Sequence, residues 1–282
     1  MPDTTVALAT CAELPEGDED ADALAAALAR LGIEAVHAVW DDASVDWSAF
    51  ELVVVRSTWD YAERRDDFLA WARALPRVLN ACPVLEWSTD KRRYLTDLER
   101  AGVSVVPTSF VAPGEPLTLP GRAFVVKPSV SAGGRSSARF DAGDGRAAEL
   151  VAAIHGEGRT AMVQPDLGDV EETALVYLDG AHSHALRRRV PLPALATETL
   201  YLEETLSAAE ATAAERELAD AALAAAPGGL LYARVDVAGG MVIELELAEP
   251  SLYLSFGEGA ADRFAAAISA RTTPRPPSSS TA

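Results

Sequence analysis

The densest run of chemistry-bearing residues is Arg234-Val-Asp236-Val-Ala-Gly-Gly-Met-Val-Ile-Glu244-Leu-Glu246. It reads as a β-hairpin. Period-two alternation puts Arg234 with Asp236 on one face of the first strand, and Glu244 with Glu246 on one face of the second. A two-residue Gly239-Gly240 turn would pair Asp236 with Ile243 and send the carboxylates to opposite sides. A three-residue Gly239-Gly240-Met241 loop pairs Asp236 with Glu244 and Arg234 with Glu246. The second register is expected, because it alone keeps Val235, Val237, Ile243, Leu245 and Leu247 together on the apolar side. Three carboxylates then crowd one guanidinium and repel each other unless a cation neutralises them. Oxygen-only donors of this kind suit magnesium; a solvated face bridged by Arg234 is the alternative.

Only two lysines, Lys91 and Lys127, stand among 22 arginines. Lys is a compact point charge where Arg is a wide planar fork. A site among phosphate oxygens is therefore one reason for a lysine to persist here, and an ordinary surface position is the other. Lys127 ends an apolar strand over 123–127 and precedes Pro128 and a loop of small residues, 129–137. Backbone N–H groups of such a loop, with an adjoining ammonium, can hold a polyphosphate. The loop lacks the G-x-x-x-x-G-K-[ST] order of a Walker loop, and a plain surface loop would read the same. Met162-Val163-Gln164-Pro165-Asp166-Leu167 is a strand running into proline. It leaves backbone groups free to read an adenine edge, or simply connects two domains. Asn80 and Gln164 are the only side-chain amides.

These groups need elements to position them. Short apolar strands at 6–10, 35–39 and 52–55 alternate with helices at about 21–31 and 64–74, the pattern of a parallel α/β domain. Beyond it the spacing predicts a helix over 89–101 with Thr89 as its cap and Lys91 inside it. A strand over 123–127, a helix over 145–155 and a strand over 162–164 follow. A hairpin joins 173–178 to 182–187 across Asp179-Gly180. A long helix over 207–226, the Gly239-Gly240 hairpin and a short helix over 260–269 complete the chain, and the Pro- and Ser-rich end from 272 is expected to be a disordered tail. The fold class is α/β, becoming α+β in the C-terminal part.

Composition narrows the function. The 282 residues are 49% hydrophobic and 24% charged, as in an ordinary globule. A net charge of −19 disfavours nucleic-acid backbones and anionic membrane surfaces as partners. Cys11 and Cys82 form neither a disulfide framework nor a zinc motif. The N-terminus lacks the basic region of a secretion signal, so a cytoplasmic location is expected. Neither G-x-S-x-G nor G-x-G-x-x-G is present, which disfavours an α/β-hydrolase and a dinucleotide oxidoreductase. His182 and His184 read as two exposed strand histidines.

Lys91, Lys127 with its glycine loop, Val163-Gln164-Pro165 and Arg234-x-Asp236…Glu244-x-Glu246 occur in the order and approximate spacing of the ATP-grasp superfamily. Over about residues 1–270 the chain resembles the glutathione synthetase-like branch, including its cycloserine synthetase (O-ureidoserine cyclo-ligase) type. The resemblance implies an ATP-grasp architecture. An N-terminal parallel α/β domain, 1–88, would accompany two subdomains that clasp ATP, 89–165 with the glycine loop and 166–270 with the metal site. It implies that Lys91 and Lys127 contact ATP phosphates and that Ser131, Gly133 and Gly134 lie in the loop closing over the γ-phosphate. Gln164, Pro165, Asp166 and Leu167 would border the adenine, with Asp166 or Glu172 reaching the ribose. Asp236, Glu244 and Glu246 would hold Mg2+. Arg234, with Lys127, would serve catalysis by stabilising the reacting phosphoryl and acyl charge. Many members carry Asn as the last metal ligand; Glu246 keeps the oxygen and adds a negative charge.

The implied reaction is phosphorylation of a small amino-acid-like carboxylate, or a ureido-type substrate, by Mg-ATP. Amide formation or ring closure then releases ADP and phosphate. A catalytically silent ATP-binding protein and a phosphotransferase are the alternatives. The expected partner is a small molecule, with a homodimer compatible. Substrate candidates come from Arg56-Ser-Thr58-Trp59-Asp60-Tyr61, which follows the strand at 52–55. Ligands of open α/β sheets sit beyond the carboxyl ends of strands. Arg56, Thr58, Trp59 and Asp60 would suit an amino acid there, while a helix-entry turn packed on the core would use the same residues. Arg187 and Arg189 share a strand face, and one of them is a candidate for a substrate carboxylate. Ser251, in the turn after the metal strand, is a further candidate.

Overall fold

The computed structural model describes residues 4–168, 170–191, 193 and 200–272. The expected tail lies outside the described residues from 273 onward. Leu52, Val53, Val54 and Val55 run without alternation because both faces of their strand are covered. They lie in β3 (Leu52–Ser57), which sits between β1 (Thr4–Thr10) and β4 (Val78–Leu79) in a parallel sheet whose other edge is β2 (Ile33–Val39). Helices α1 (Ala21–Arg30), α2 (Arg65–Ala74) and α3 (Cys82–Ser88) accompany it, α3 opened by a proline in its first turn. The predicted helix from Thr89 proves to be a join between two helices. The Thr89 hydroxyl donates back to Leu85 O at 2.7 Å at the end of α3. Asp90 caps α4 (Lys91–Arg100) by accepting from Arg92 N at 3.0 Å. Lys91 is thus the first residue of a helix, close to the cleft described below.

A second sheet is antiparallel, in the order β5 (Ser109–Val111), β8 (Ala161–Pro165), β6 (Phe124–Pro128), β7 (Ala138–Phe140). Together with α5 (Arg146–Gly156) it encloses a core of its own, built on Phe124, Val126, Phe140, Val151 and Ile154. A third, antiparallel sheet runs β11 (Thr205–Ala209), β10 (Ala181–Arg189), β9 (Glu172–Leu178), β12 (Tyr232–Ala238), β13 (Met241–Glu246). The expected long helix over 207–226 is therefore an edge strand followed by a shorter helix, α6 (Ala213–Ala225). A reciprocal capping box between Thr212 and Glu215 starts α6. α7 (Ala260–Ser269) closes the described chain. No helix among the described residues is long and apolar enough to cross a membrane.

Both hairpins of the third sheet have two-residue turns and one bulge each. In β12–β13, Ala238 opposes Met241, so the turn is Gly239-Gly240 and not the expected three-residue loop. The register then slips by one, so that Asp236 opposes Glu244 and Arg234 opposes Glu246. The expected carboxylate pairing holds, but through a bulge at Ile243. Val242 takes the core position assigned to Ile243, and Ile243 faces the cleft instead. In β9–β10, Leu178 opposes Ala181, and a slip at Ser183 brings Arg188 opposite Glu172. An unbroken register would have put Arg187 there.

The first and third sheets share one core, in which Val6, Leu8, Leu52 and Val54 join Val176, Tyr232 and Phe264. Fully buried Asn80 ties them polar group to polar group. Its amide donates to Tyr232 O at 2.9 Å and Leu247 O at 2.7 Å, and its carbonyl accepts from Leu231 N at 2.7 Å. The Tyr232 hydroxyl lies 2.7 Å from both Val55 O and Ala248 O.

Candidate active site

A cleft of about 1050 Å³ is lined by residues from all three sheets. On its floor, β12 and β13 present Asp236, Glu244 and Glu246 with carboxylate oxygens all within 4.8 Å of one another. Arg234 threads between them. Its Nε and Nη2 donate to Asp236 at 3.0 and 3.1 Å, its Nη2 to Glu246 at 2.5 Å and its Nη1 to Ser251 O at 3.0 Å. Its guanidinium also lies 5.4 Å from the Tyr253 ring centroid. Burial, reinforced by repulsion from Glu244 and Asp236, outweighs Arg234 and holds Glu246 well above the usual carboxylate range. Burial also opposes ionisation of Glu244, but Lys91 and Lys127 outweigh it and hold its pKa low. Three converging carboxylates with oxygen donors only fit a hard divalent ion.

The lysines face this floor. Lys91 Nζ lies 2.9 Å from Glu244 Oε1 and donates to Ser131 O at 2.7 Å. Burial works against its charge, but Glu244 more than compensates and raises its pKa. Lys127, at the end of β6, makes no hydrogen bond or ion pair among the described residues, and burial pulls its pKa down. Its ammonium is held in the cleft without a counter-ion in contact among the described residues. Ser131, Gly133 and Gly134 line the same space. Gly133 and Gly134 have φ of +60° and +74°, and the Gly133 carbonyl accepts from Leu202 N at 2.9 Å. A Cβ on Gly133 would collide with the Leu200 carbonyl, so only glycine fits beneath that segment.

Gln164, Pro165, Asp166 and Leu167 line the cleft where β8 ends, beside Val125 and Ile243. Gln164 donates to Thr108 Oγ1 at 2.8 Å, and Asp166 accepts from Arg139 at 2.6 Å. Glu172 lines it too, 3.8 Å from Arg188.

The substrate candidates divide. Trp59 and Ser251 line the cleft. Arg56, Thr58 and Asp60 do not, because the sheet end that carries them is closed over. Arg56 is buried against Asp18, at 3.1 Å, between the rings of Tyr232 and Phe264. Thr58 is wholly buried. Asp60 accepts from Trp40 at 2.8 Å and Arg64 at 2.6 Å. Arg187 points the other way, onto Glu215 of α6 at 2.7 Å. Its neighbour Arg188, unpredicted, takes the cleft position and meets Asp236 and, at 2.9 Å, Glu204. Arg189 also lines the cleft. His184 is buried rather than exposed, hydrogen-bonded to Leu252 O at 2.9 Å.

Residues 6–80 match the family model of the N-terminal domain of D-cycloserine synthetase DcsG. The cycloserine biosynthesis protein DcsG of Streptomyces lavendulae is 36% identical over 285 residues, covering 91% of this chain and 95% of that protein. The chain belongs to the DcsG family of ATP-grasp ligases. The crystal structure of D-cycloserine synthetase DcsG superimposes on the chain with a TM-score of 0.84 and 34% identity, over 95% of this chain and all of that one. D-alanine–D-alanine ligase from Bacillus anthracis, complexed with ATP, shares the fold at a TM-score of 0.68 and 15% identity, over 95% and 97% of the two chains. As a DcsG-family ATP-grasp ligase, the protein is an enzyme.

Proposed function

We propose that the cleft binds Mg-ATP and an O-ureidoserine-like amino acid, and that the enzyme closes the latter into a cycloserine-type ring. The observation that carries this reading is the juxtaposition of both lysines with the acid trio, Lys91 lying 2.9 Å from Glu244.

Lys91, Lys127 and Arg188 hold the phosphate oxygens, and the loop around Gly133 covers them. The adenine rests between Val125, Ile243 and residues 164–167. Asp236, Glu244 and Glu246 would hold magnesium, which neutralises phosphate charge when bound. The substrate carboxylate takes the γ-phosphoryl group and becomes an acylphosphate. Arg234, fixed by Asp236 and Glu246, stabilises the charge that develops on the phosphoryl and acyl oxygens. The oxygen-bound ureido nitrogen, giving up its proton, then displaces phosphate and closes an N-carbamoyl ring. Hydrolysis of that carbamoyl group to carbon dioxide and ammonia completes cycloserine. Exclusion of water before closure keeps the acylphosphate from hydrolysis. The two free cysteines suit a reducing compartment such as the cytoplasm.

Purified enzyme with Mg2+ and ATP is expected to release ADP and phosphate when O-ureidoserine is supplied, and mass analysis to find a ring rather than a phosphorylated or dimeric product. Chelation of magnesium abolishes the release. ATP binding without ADP release on any ureido or amino-acid substrate would favour a catalytically silent protein instead.

A further inference from the structure

Most buried or half-buried acids of the cleft are matched by a cation. Asp236 and Glu246 meet Arg234, Glu244 meets Lys91, Glu204 meets Arg188 and Asp18 meets Arg56. Glu249 is different. It lines the cleft, is only 8% exposed, and its carboxylate has no hydrogen bond or ion pair among the described residues. A carboxylate this buried, reached only from the cleft and without a protein partner, is destabilising, and its retention points to a ligand that supplies the partner. Burial, and then the charge of Glu246, push its pKa well above the ordinary range, so the pocket is short of positive charge at this point.

The position of Glu249 defines what that ligand presents. It follows Glu246 by three residues, and Glu246, Lys91, Glu244 and Arg234 are its charged neighbours. Its backbone carbonyl is fixed by Trp59 Nε1 at 3.1 Å, and Trp59 and Tyr61 continue the wall. A substrate carboxylate reacting beside the acid trio carries an α-ammonium one carbon away, and an ammonium is the counter-charge that the Glu249 carboxylate lacks.

Building on the ligase reading above, we propose that Glu249 receives the α-ammonium group of the amino-acid substrate and so selects amino acids over plain carboxylic acids. The test is calorimetric titration of O-ureidoserine and of 3-(ureidooxy)propanoate, which lacks the amino group. Both are titrated into wild type and Glu249→Gln with Mg2+ and a nonhydrolysable ATP analogue, whose own affinity reports on folding. Wild type is expected to prefer the amino compound by about 10- to 100-fold, the value of a charge-assisted hydrogen bond. Glu249→Gln is expected to lose that preference while binding the ATP analogue normally. Equal binding of the two compounds by wild type overturns the proposal whether or not the variant folds. So does an unchanged preference in the variant, including one with kcat alone reduced, which would mark a proton acceptor. If wild type binds the ATP analogue but neither compound, the ring-closing reading itself fails and this one with it.

Discussion

The two hairpins of the third sheet follow one plan, a two-residue turn and then one extra residue, yet the extra residue has opposite consequences for function. In β12–β13 the bulge at Ile243 restores the pairing of Asp236 with Glu244 that a tight turn would have broken. In β9–β10 the bulge at Ser183 brings Arg188, rather than Arg187, opposite Glu172. Alternation tells which residues share a face, and turn length tells which residues oppose each other. A bulge changes the second without leaving a mark in composition.

The comparison can be broken at its strongest point first. Asp236→Asn in the second hairpin, or Lys127→Ala across the cleft, is expected to lower turnover on the order of 10²–10³-fold, measured as ADP release at saturating ATP. Near-normal turnover in Asp236→Asn would mean that the paired acids do no chemistry. The first hairpin is sharpened by a matched pair of variants. Arg188→Ala is expected to cost roughly 10- to 100-fold in kcat/KM. Arg187→Ala, which loses partly exposed contacts with Glu215 and Thr173 on the far face of the sheet, is expected to change it less than about threefold. The reverse ranking would restore the unbulged register. The smallest effect on turnover is expected where the second hairpin is rooted. Asn80→Ala leaves Leu231 N, Tyr232 O and Leu247 O unpaired in the interior, so the folded state should lose about 3 kcal/mol, read from urea unfolding. A stability unchanged by Asn80→Ala would show that the strand ends are held by packing alone.

What was legible in the amino acids follows from these contrasts. Lys91 and Lys127 stood out because arginine fills every other cationic position, and both line the cleft. The acid trio is readable from alternation, although its pairing arises from a two-residue turn and a bulge rather than from the expected three-residue loop. The α7 helix matched its expected span because its apolar spacing is regular and glycine precedes it. The acceptor side was much less legible. Arg56, Thr58 and Asp60 have the chemistry of a binding site, but packing consumes them: Asp18 and Trp40, distant in sequence, and Arg64, four residues on, partner Arg56 and Asp60, while Thr58 is wholly buried. Glu249 carried no such signal, since nothing in a single sequence shows that a carboxylate lacks a partner. The edge strand β11 was hidden inside an alanine-rich run with helical composition, and the Thr212–Glu215 box was the one local sign that α6 begins later.

The Asn80 and Tyr232 bonds have a mechanical corollary. They join the parallel sheet to the strands that carry the acid trio by hydrogen bonds, whereas the sheet of Phe124 and Val126 has one interior of its own under α5 and meets the third sheet through the apolar side chains of Met162 and Phe110. A disturbance at Asn80 therefore has a direct polar route to Asp236 and Glu244, but reaches the sheet of Phe124 only across that apolar seam.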